Sequence, residues 1–286
     1  MIQPIDGLGG LAGRYDVLLC DVWGVIHNGA ESFPGPCSAL TQWRETVGPV
    51  ILISNAARPH PEVIVQLDEL GVPRGAYSAM ITSGDVTRHL LSARAPGPVY
   101  RIGPERDRPL YAGLGMEFAP LDQAAFVSVS GPVNDEVETP EDYRELLTEA
   151  VARKLPLICA NPDKIVQRGP RLIYCGGALA DLYESLGGEV IMAGKPHAPI
   201  YAAALGRAEE RVGKPVAKER VLAIGDGVPT DVAGANAQGL DALFISGGIH
   251  DAETLGADGR LDPAAAEALL AASGRHAAYA MRTLAW

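Results

Sequence analysis

Three short apolar runs in this chain each stop abruptly on a polar side chain, and that pattern restricts the fold more than any other feature. Residues 15–20 run into Asp21, residues 49–53 into Ser54-Asn55, and residues 220–224 into Gly225-Asp226. A short run with little polar alternation suits a strand buried on both faces, and such strands belong to parallel sheets covered by helices. Helically spaced segments follow. Residues 37–47 carry Leu40, Trp43 and Val47, and residues 61–70 carry Val63, Ile64, Leu67 and Leu70. Pro61 suits a first helical turn and Gly71 a stop. Strand, helix, strand, helix predicts an α/β sheet.

The rhythm continues with a strand at 80–82 and a helix at 85–91, and it resumes near the C-terminus. There, helices are predicted at 200–212 and 231–237, strands at 221–224 and 240–246, and a further helix around Ala264. Between the halves, apolar runs at 98–102, 125–129 and 155–159 and a helical segment at 143–152 are enough for an inserted α/β domain. The expected organisation is a core from residues 1–83 and 193–286 with an insertion at 84–192.

A formal charge of −11 over 286 residues argues against attraction to nucleic acid or anionic membranes. No apolar run approaches the roughly 20 residues that span a bilayer. Residues 1–6 lack a basic region leading into an apolar signal core, so a cytoplasmic protein is expected. Cys20, Cys37, Cys159 and Cys175 show no metal-type spacing and read as buried free thiols in a reducing compartment.

Open α/β sheets bind ligands outside the carboxyl ends of their strands. Asp21, Ser54-Asn55 and Asp226 are all predicted at such ends, and Lys195, one of five lysines, lies in Ala193-Gly194-Lys195-Pro196. One convergent site is the economical reading. In Gly225-Asp226-Gly227-Val228-Pro229-Thr230-Asp231, the glycines allow a sharp turn with Asp226 at the strand tip and Asp231 beyond it. Two such carboxylates suit Mg²⁺, which takes one or two together with water and phosphate. A surface Asp-Gly turn followed by a helix-capping Asp is the other reading. Asp21 as a turn cap, Ser54 as a helix cap and Lys195 as a surface charge are the bland counterparts.

Taken in order, these motifs resemble the haloacid dehalogenase (HAD) superfamily, specifically its NagD-like class IIA branch of phosphatases with a C2-type cap. Asp21, Ser54-Asn55, Lys195-Pro196 and Gly225-Asp226 through Thr230-Asp231 carry the resemblance. Within the insertion, Ala160-Asn161-Pro162-Asp163 and Gly176-Gly177-Ala178-Leu179 do so as well. The resemblance covers nearly the whole chain and implies a Rossmann-like parallel-sheet core with an α/β cap at 84–192. It implies Asp21 as the nucleophile that forms an aspartyl-phosphate. It implies Mg²⁺ held by Asp21, Asp226, the backbone carbonyl of Trp23, and Asp231 as ligand or close support. Ser54, the backbone N–H groups of Val22 and Asn55, and Lys195 would grip a small phosphorylated metabolite. A homodimer through the cap is implied as well.

Two departures stand out. The family's phosphatases carry an acid–base Asp where this chain has Trp23, and indole has one donor and no acceptor. General acid–base catalysis is typically worth roughly 10²–10⁴-fold, so slow turnover is expected. Ser54-Asn55-Ala56-Ala57-Arg58 also replaces the usual Ser-Asn-Asn, read as a change of substrate fit. His27 and His197 could replace the acid–base group, or could line the pocket and cap a helix. Two further functions stay open. One is a dehalogenase-like hydrolase, because those relatives carry Tyr at the position of Trp23. The other is a non-catalytic phosphometabolite-binding protein. Lys164, Gln167, Arg168 and Arg171 make residues 163–171 basic, suited to a second anionic group or simply to a solvated loop.

Overall fold

Val17–Cys20, Val50–Ser54 and Val221–Gly225, the three runs that end on polar residues, are strands with every residue buried. The computed structural model describes residues 2–168 and 171–286. The chain divides into two compact units, one of Met1–Ser54, Ile64–Ile81 and Tyr201–Trp286, the other of Asn55–Val63 and Thr82–Ile200.

The first unit is built on a seven-stranded sheet. Its order is Gln3–Pro4, Tyr279–Met281, Asp241–Ile245, Val221–Gly225, Val17–Cys20, Val50–Ser54, Ala79–Thr82. The first five pairings in that order are parallel. Cys20 lies opposite both Ile224 and Leu52, so the three central strands finish within two residues of one another. From Val17–Cys20 the chain adds strands in one direction, then returns to add Val221–Gly225 on the other side. That reversal is a topological switch point, where open α/β sheets leave a crevice. The Asp21 N–H donates to the Ile224 carbonyl at 2.8 Å and extends the ladder one residue into the crevice.

Helices cover the sheet because their apolar residues recur with helical period. Pro34–Thr46 begins on Pro34, whose absent N–H would have no intrahelical partner anyway, and buries Pro36, Ala39, Leu40 and Trp43. Intervals of three, four and seven residues place these on one face. The helix starts three residues before the predicted 37 because prolines at 34 and 36 are tolerated in a first turn.

The second unit has its own four-stranded sheet, in the order Val190–Met192, Leu157–Cys159, Phe126–Val129, Val99–Ile102, with parallel pairings. Alternate side chains enter opposite cores, as the two-residue period of a strand requires. Val127, Val129, Leu157 and Cys159 pack with Leu147, Leu179 and Tyr183. Phe126, Ile158 and Ala160 pack with Leu91, Leu110 and Tyr111. The helix Ser83–Ser92 starts in a capping box between Thr82 and Asp85, which satisfies two otherwise orphaned N–H donors.

Several elements escape a sequence reading. Residues 163–171, read there as a basic segment or loop, contain most of an antiparallel hairpin of Ile165–Arg168 and Arg171–Tyr174. Its strands carry arginine and glutamine among the apolar residues, so no apolar run announced them. Gly169 and Pro170, within that segment, lie outside the described residues. Gln3–Pro4 and Tyr279–Met281 are two and three residues long, below the length at which periodicity can be read.

All four cysteines are free and buried. Among the described residues, no helix is long and apolar enough to cross a membrane. Leu18, fully buried on the central strand, should be indispensable to this core. Leu18→Ala should lower the unfolding free energy by about 2–5 kcal/mol, measured by urea denaturation.

Candidate functional site

Asp21, Asp226 and Asp231 come together at the carboxyl edge of the first unit's sheet, all buried, with one carboxylate oxygen from each lying within 4.8 Å of the others. Asp21 and Asp226 are the first residues beyond neighbouring strands. Asp231 reaches them by a tight turn. Val228–Val232 forms a single π-helical turn, rather than the loop leading into an ordinary helix expected from the sequence. Within it, the Asp231 N–H donates to the Gly227 carbonyl at 2.8 Å, and the Asp231 carboxylate accepts the Gly227 N–H at 3.0 Å. The Asp226 carboxylate accepts the Ile249 N–H at 2.9 Å.

Glycines make this crowding feasible. A Cβ on Gly24 or on Gly248 would strike the Asp226 carboxylate, and one on Gly225 would strike that of Asp231. Gly24 also has φ +83°, a left-handed conformation that side chains other than glycine disfavour. If all three carboxylates are ionised, charges 4.8 Å apart repel by roughly 3 kcal/mol per pair at an effective dielectric near 20. A hard divalent cation, which prefers oxygen ligands, relieves that repulsion. The donor set therefore fits such an ion.

The loop after Asp21 is closed by its own backbone. Ile26 N–H donates to Val22 C=O at 2.9 Å, Gly24 N–H to His27 C=O at 2.8 Å, and Phe33 N–H to Ile26 C=O at 2.8 Å. Trp23 meets His27 edge to face, with ring centroids 5.0 Å apart, and its indole lies where a Cβ on Gly29 would stand. His27 is 2% exposed. Its Nδ1 accepts the Gly29 N–H at 2.9 Å, so the neutral ring carries its proton on Nε2. Burial pushes its pKa down to about 4. His27 is thus a buried neutral histidine near pH 7, with its acceptor nitrogen already engaged.

Ser54 is the buried last residue of its strand, and the next helix starts only at His60, so it does not cap that helix. Asn55 and Lys195 meet in the second unit. The Asn55 side-chain oxygen accepts the Lys195 N–H at 2.7 Å, and its amide nitrogen donates to the Lys195 carbonyl at 3.1 Å. That nitrogen also donates to the Asp163 carboxylate at 2.8 Å. Lys195 is 2% exposed, which sets it apart from a solvated surface charge. His197 is exposed.

Asp163 as the partner of Asn55, and Gly24 and Gly248 as the walls around Asp226, were not legible as site residues. A glycine after Trp23 and a glycine pair after residues 240–246 were the available signals. The two insertion motifs also pack on each other: Gly177 N–H donates to the Asp163 carbonyl at 3.0 Å, and a Cβ on Gly177 would strike the Pro162 carbonyl. Of the basic segment, Lys164 pairs with Asp181, Arg168 with Asp135, and Arg171 is exposed.

Residues 18–117 match the family model for haloacid dehalogenase-like hydrolases, and residues 192–273 match a second model described as HAD-hydrolase-like. A crystal structure of a haloacid dehalogenase-like family hydrolase from Brucella suis 1330 is 48% identical, with a TM-score of 0.88, over 98% of this chain and 99% of that one. The D-glycerol 3-phosphate phosphatase of Mycobacterium tuberculosis is 28% identical over 247 residues, 85% of this chain. The match spans 66% of that enzyme, just under two thirds of its length. A crystal structure of glycerol phosphate phosphatase from Mycobacterium tuberculosis in complex with calcium is 27% identical, with a TM-score of 0.62, over 84% of this chain and 68% of that one.

His27 generates a prediction for acid stability. Its pKa is about 4 when folded, against about 6.5 in an unfolded chain. Below pH 6.5 the unfolded chain therefore binds a proton that the folded protein refuses. The stability contributed by neutral His27 is complete above pH 6.5 and is lost as the pH falls through 4, amounting to about 3 kcal/mol. The His27 ring resonances should titrate near pH 4 by NMR. His27→Gln should flatten the pH dependence of unfolding between pH 6.5 and 4.

Proposed function

The chain belongs to the haloacid dehalogenase-like hydrolase family, and on that premise we propose that it is a Mg²⁺-dependent phosphatase of a small phosphorylated metabolite. The observation that carries this reading is the buried trio Asp21, Asp226 and Asp231, with ligand oxygens within 4.8 Å of one another at the strand ends. The phosphatase named among its relatives and the calcium-bound relative support the reaction class and a divalent cation. Mg²⁺ is the better fit to chemistry in which a few carboxylates share the ion with water and phosphate. Carbon–halogen displacement needs no cation and leaves the trio without a purpose.

In this reading Asp21, Asp226, Asp231 and the backbone carbonyl of Trp23 hold the ion. When bound, it neutralises charge shared by the carboxylates and the phosphate, so that an anionic nucleophile can approach. An Asp21 oxygen then attacks phosphorus, the ester oxygen departs with its electron pair, and an aspartyl-phosphate forms. Water hydrolyses that mixed anhydride, releasing phosphate and restoring the Asp21 carboxylate. Ser54 and the backbone N–H groups of Val22 and Asn55 hold the equatorial oxygens, while Lys195 adds a positive charge. The Asn55 side chain grips the Lys195 backbone and so orients that lysine, leaving its own backbone N–H for phosphate.

The leaving oxygen lacks a ready proton source in this loop. Trp23 has no titratable group, and His27 is held neutral with its acceptor nitrogen engaged. Aryl phosphates, whose leaving oxygens scarcely need protonation, should therefore turn over faster than alkyl phosphates. Residues 84–192 are read as the cap over the substrate, supported by a separate sheet with its own two hydrophobic clusters. Exposed Leu172 and Tyr174, alternate residues on one hairpin strand, offer apolar surface for a cap-mediated homodimer.

Phosphate release from a panel of phosphomonoesters with Mg²⁺ is the primary test. Asp21→Asn should abolish release, because a neutral amide is a poor nucleophile; residual turnover at the wild-type rate would overturn the mechanism. Calorimetry should find Mg²⁺ affinity lost in Asp226→Ala, and unchanged affinity would refute the metal site. Trp23→Asp should raise alkyl-phosphate turnover by up to roughly 10²–10⁴-fold and aryl-phosphate turnover by less, with Mg²⁺ affinity and thermal unfolding of the same variant as controls.

A further inference from the structure

Three arginines of the second unit converge on two acidic side chains, and the mechanism above uses none of them. Arg58 stands four residues after Ser54. Arg106 lies in the Glu105–Tyr111 turn, and Arg168 ends the hairpin strand Ile165–Arg168. Asp135 accepts from Arg106 through both carboxylate oxygens and from Arg168 at 3.1 Å. Asp107, next to Arg106 in the chain, pairs with Arg58 at 3.9 Å.

The layering of these groups is informative. The Asp135 and Asp107 side chains are 8% and 10% exposed, whereas those of Arg58, Arg168 and Arg106 are 22%, 34% and 45% exposed. The carboxylates are the floor, and the guanidiniums are the more exposed layer. Among the described residues, Arg168 bonds only through Nη2 and Arg106 only through its two Nη groups. Guanidinium offers five N–H donors, so both retain donors for a ligand. Burial lowers the Arg58 pKa, with repulsion from Arg106 and Arg168 adding to it against the attraction of Asp107 and Glu62. Burial also raises the Asp107 pKa, against the pull of Ser130, Arg106 and Arg58. Three residues separate Ser54 from Arg58, so the chain between them spans no more than about 14 Å.

We propose that Arg58, Arg106 and Arg168 form a subsite for a second acidic group of the substrate, so that the protein takes phosphomonoesters that also carry a carboxylate or a second phosphate. The inference rests on the phosphatase reading above, in which the scissile phosphate is held at Ser54. Guanidiniums anchored side by side recognise planar or tetrahedral oxyanions better than a lysine would. A neutral polyol phosphate would leave them without that partner.

The test compares matched pairs on the full chain with Mg²⁺: 3-phosphoglycerate against glycerol 3-phosphate, and fructose 1,6-bisphosphate against fructose 6-phosphate. Affinities come from calorimetry on Asp21→Asn, which prevents turnover, and kcat/KM from the wild type. The acidic member of at least one pair should bind roughly 10- to 100-fold tighter, the worth of one or two charge-assisted hydrogen bonds. The pair that shows the preference identifies carboxylate or phosphate as the second group. Arg168→Gln and Arg58→Gln, each combined with Asp21→Asn, should each erase most of that preference, and Arg168→Lys should restore part of it. Equal binding within both pairs would overturn the proposal. So would a preference that survives both glutamine variants, which would leave the cluster as an ion-pair network holding the hairpin. Should Arg58→Gln fail to fold, the half-exposed Arg168 and the wild-type preference decide the matter. If no phosphomonoester is hydrolysed, the phosphatase reading fails, while the calorimetric preference still decides the role of the arginines.

Discussion

Parallel pairing of Val17–Cys20 with Val221–Gly225 is the constraint on which the candidate chemistry depends. The register sets Cys20 opposite Ile224, and the Asp21 N–H bonds to the Ile224 carbonyl. Two strands about two hundred residues apart in the chain thus deliver their next side chains, Asp21 and Asp226, to the same place. A slip of one residue would turn every side chain of one strand to the opposite face, and the carboxylates would part. Continuous burial of both strands holds that register, because neither can slide without exposing apolar surface.

Bringing three carboxylates together is electrostatically unfavourable, and the surrounding backbone is shaped to tolerate it. Gly24, Gly225 and Gly248 admit main chain where any Cβ would collide with an Asp. Backbone N–H groups of Gly227 and Ile249 donate to two of the carboxylates. Beside this cluster, the loop carrying Trp23 is closed by a short hydrogen-bonded turn and an edge-to-face contact with His27. Trp23 is therefore a packed component of the loop, set against His27 and over Gly29.

The second unit follows a different logic. Asn55 spends its amide on the Lys195 backbone and on Asp163, an arrangement that fixes positions and leaves little adaptability. The arginines around Asp107 and Asp135 are partly exposed, as ligand recognition requires. Arg58, one of these three, lies two residues beyond Ala56, the position at which this chain departs from the usual Ser-Asn-Asn.

Much of the first unit was legible in the sequence because continuous apolar runs and helical spacing are local properties. The strands ending at Asp21, Ser54 and Asp226 announced themselves by composition alone, as did the residue types able to hold a hard cation. The hairpin of Ile165–Arg168 and Arg171–Tyr174 did not, since its strands mix charged with apolar residues and are defined by pairing with each other. Nor did the Asn55–Asp163 bond, the glycine walls around Asp226 or the meeting of Arg58, Arg106 and Arg168. Each of these joins residues tens to hundreds of positions apart, and no local period encodes such a contact. The sequence by itself determined which segments become buried strands and which side chains stand at their ends. Only the tertiary structure decided which of those side chains share a few ångströms, because register, close backbone approach and ion pairing arise when distant segments pack.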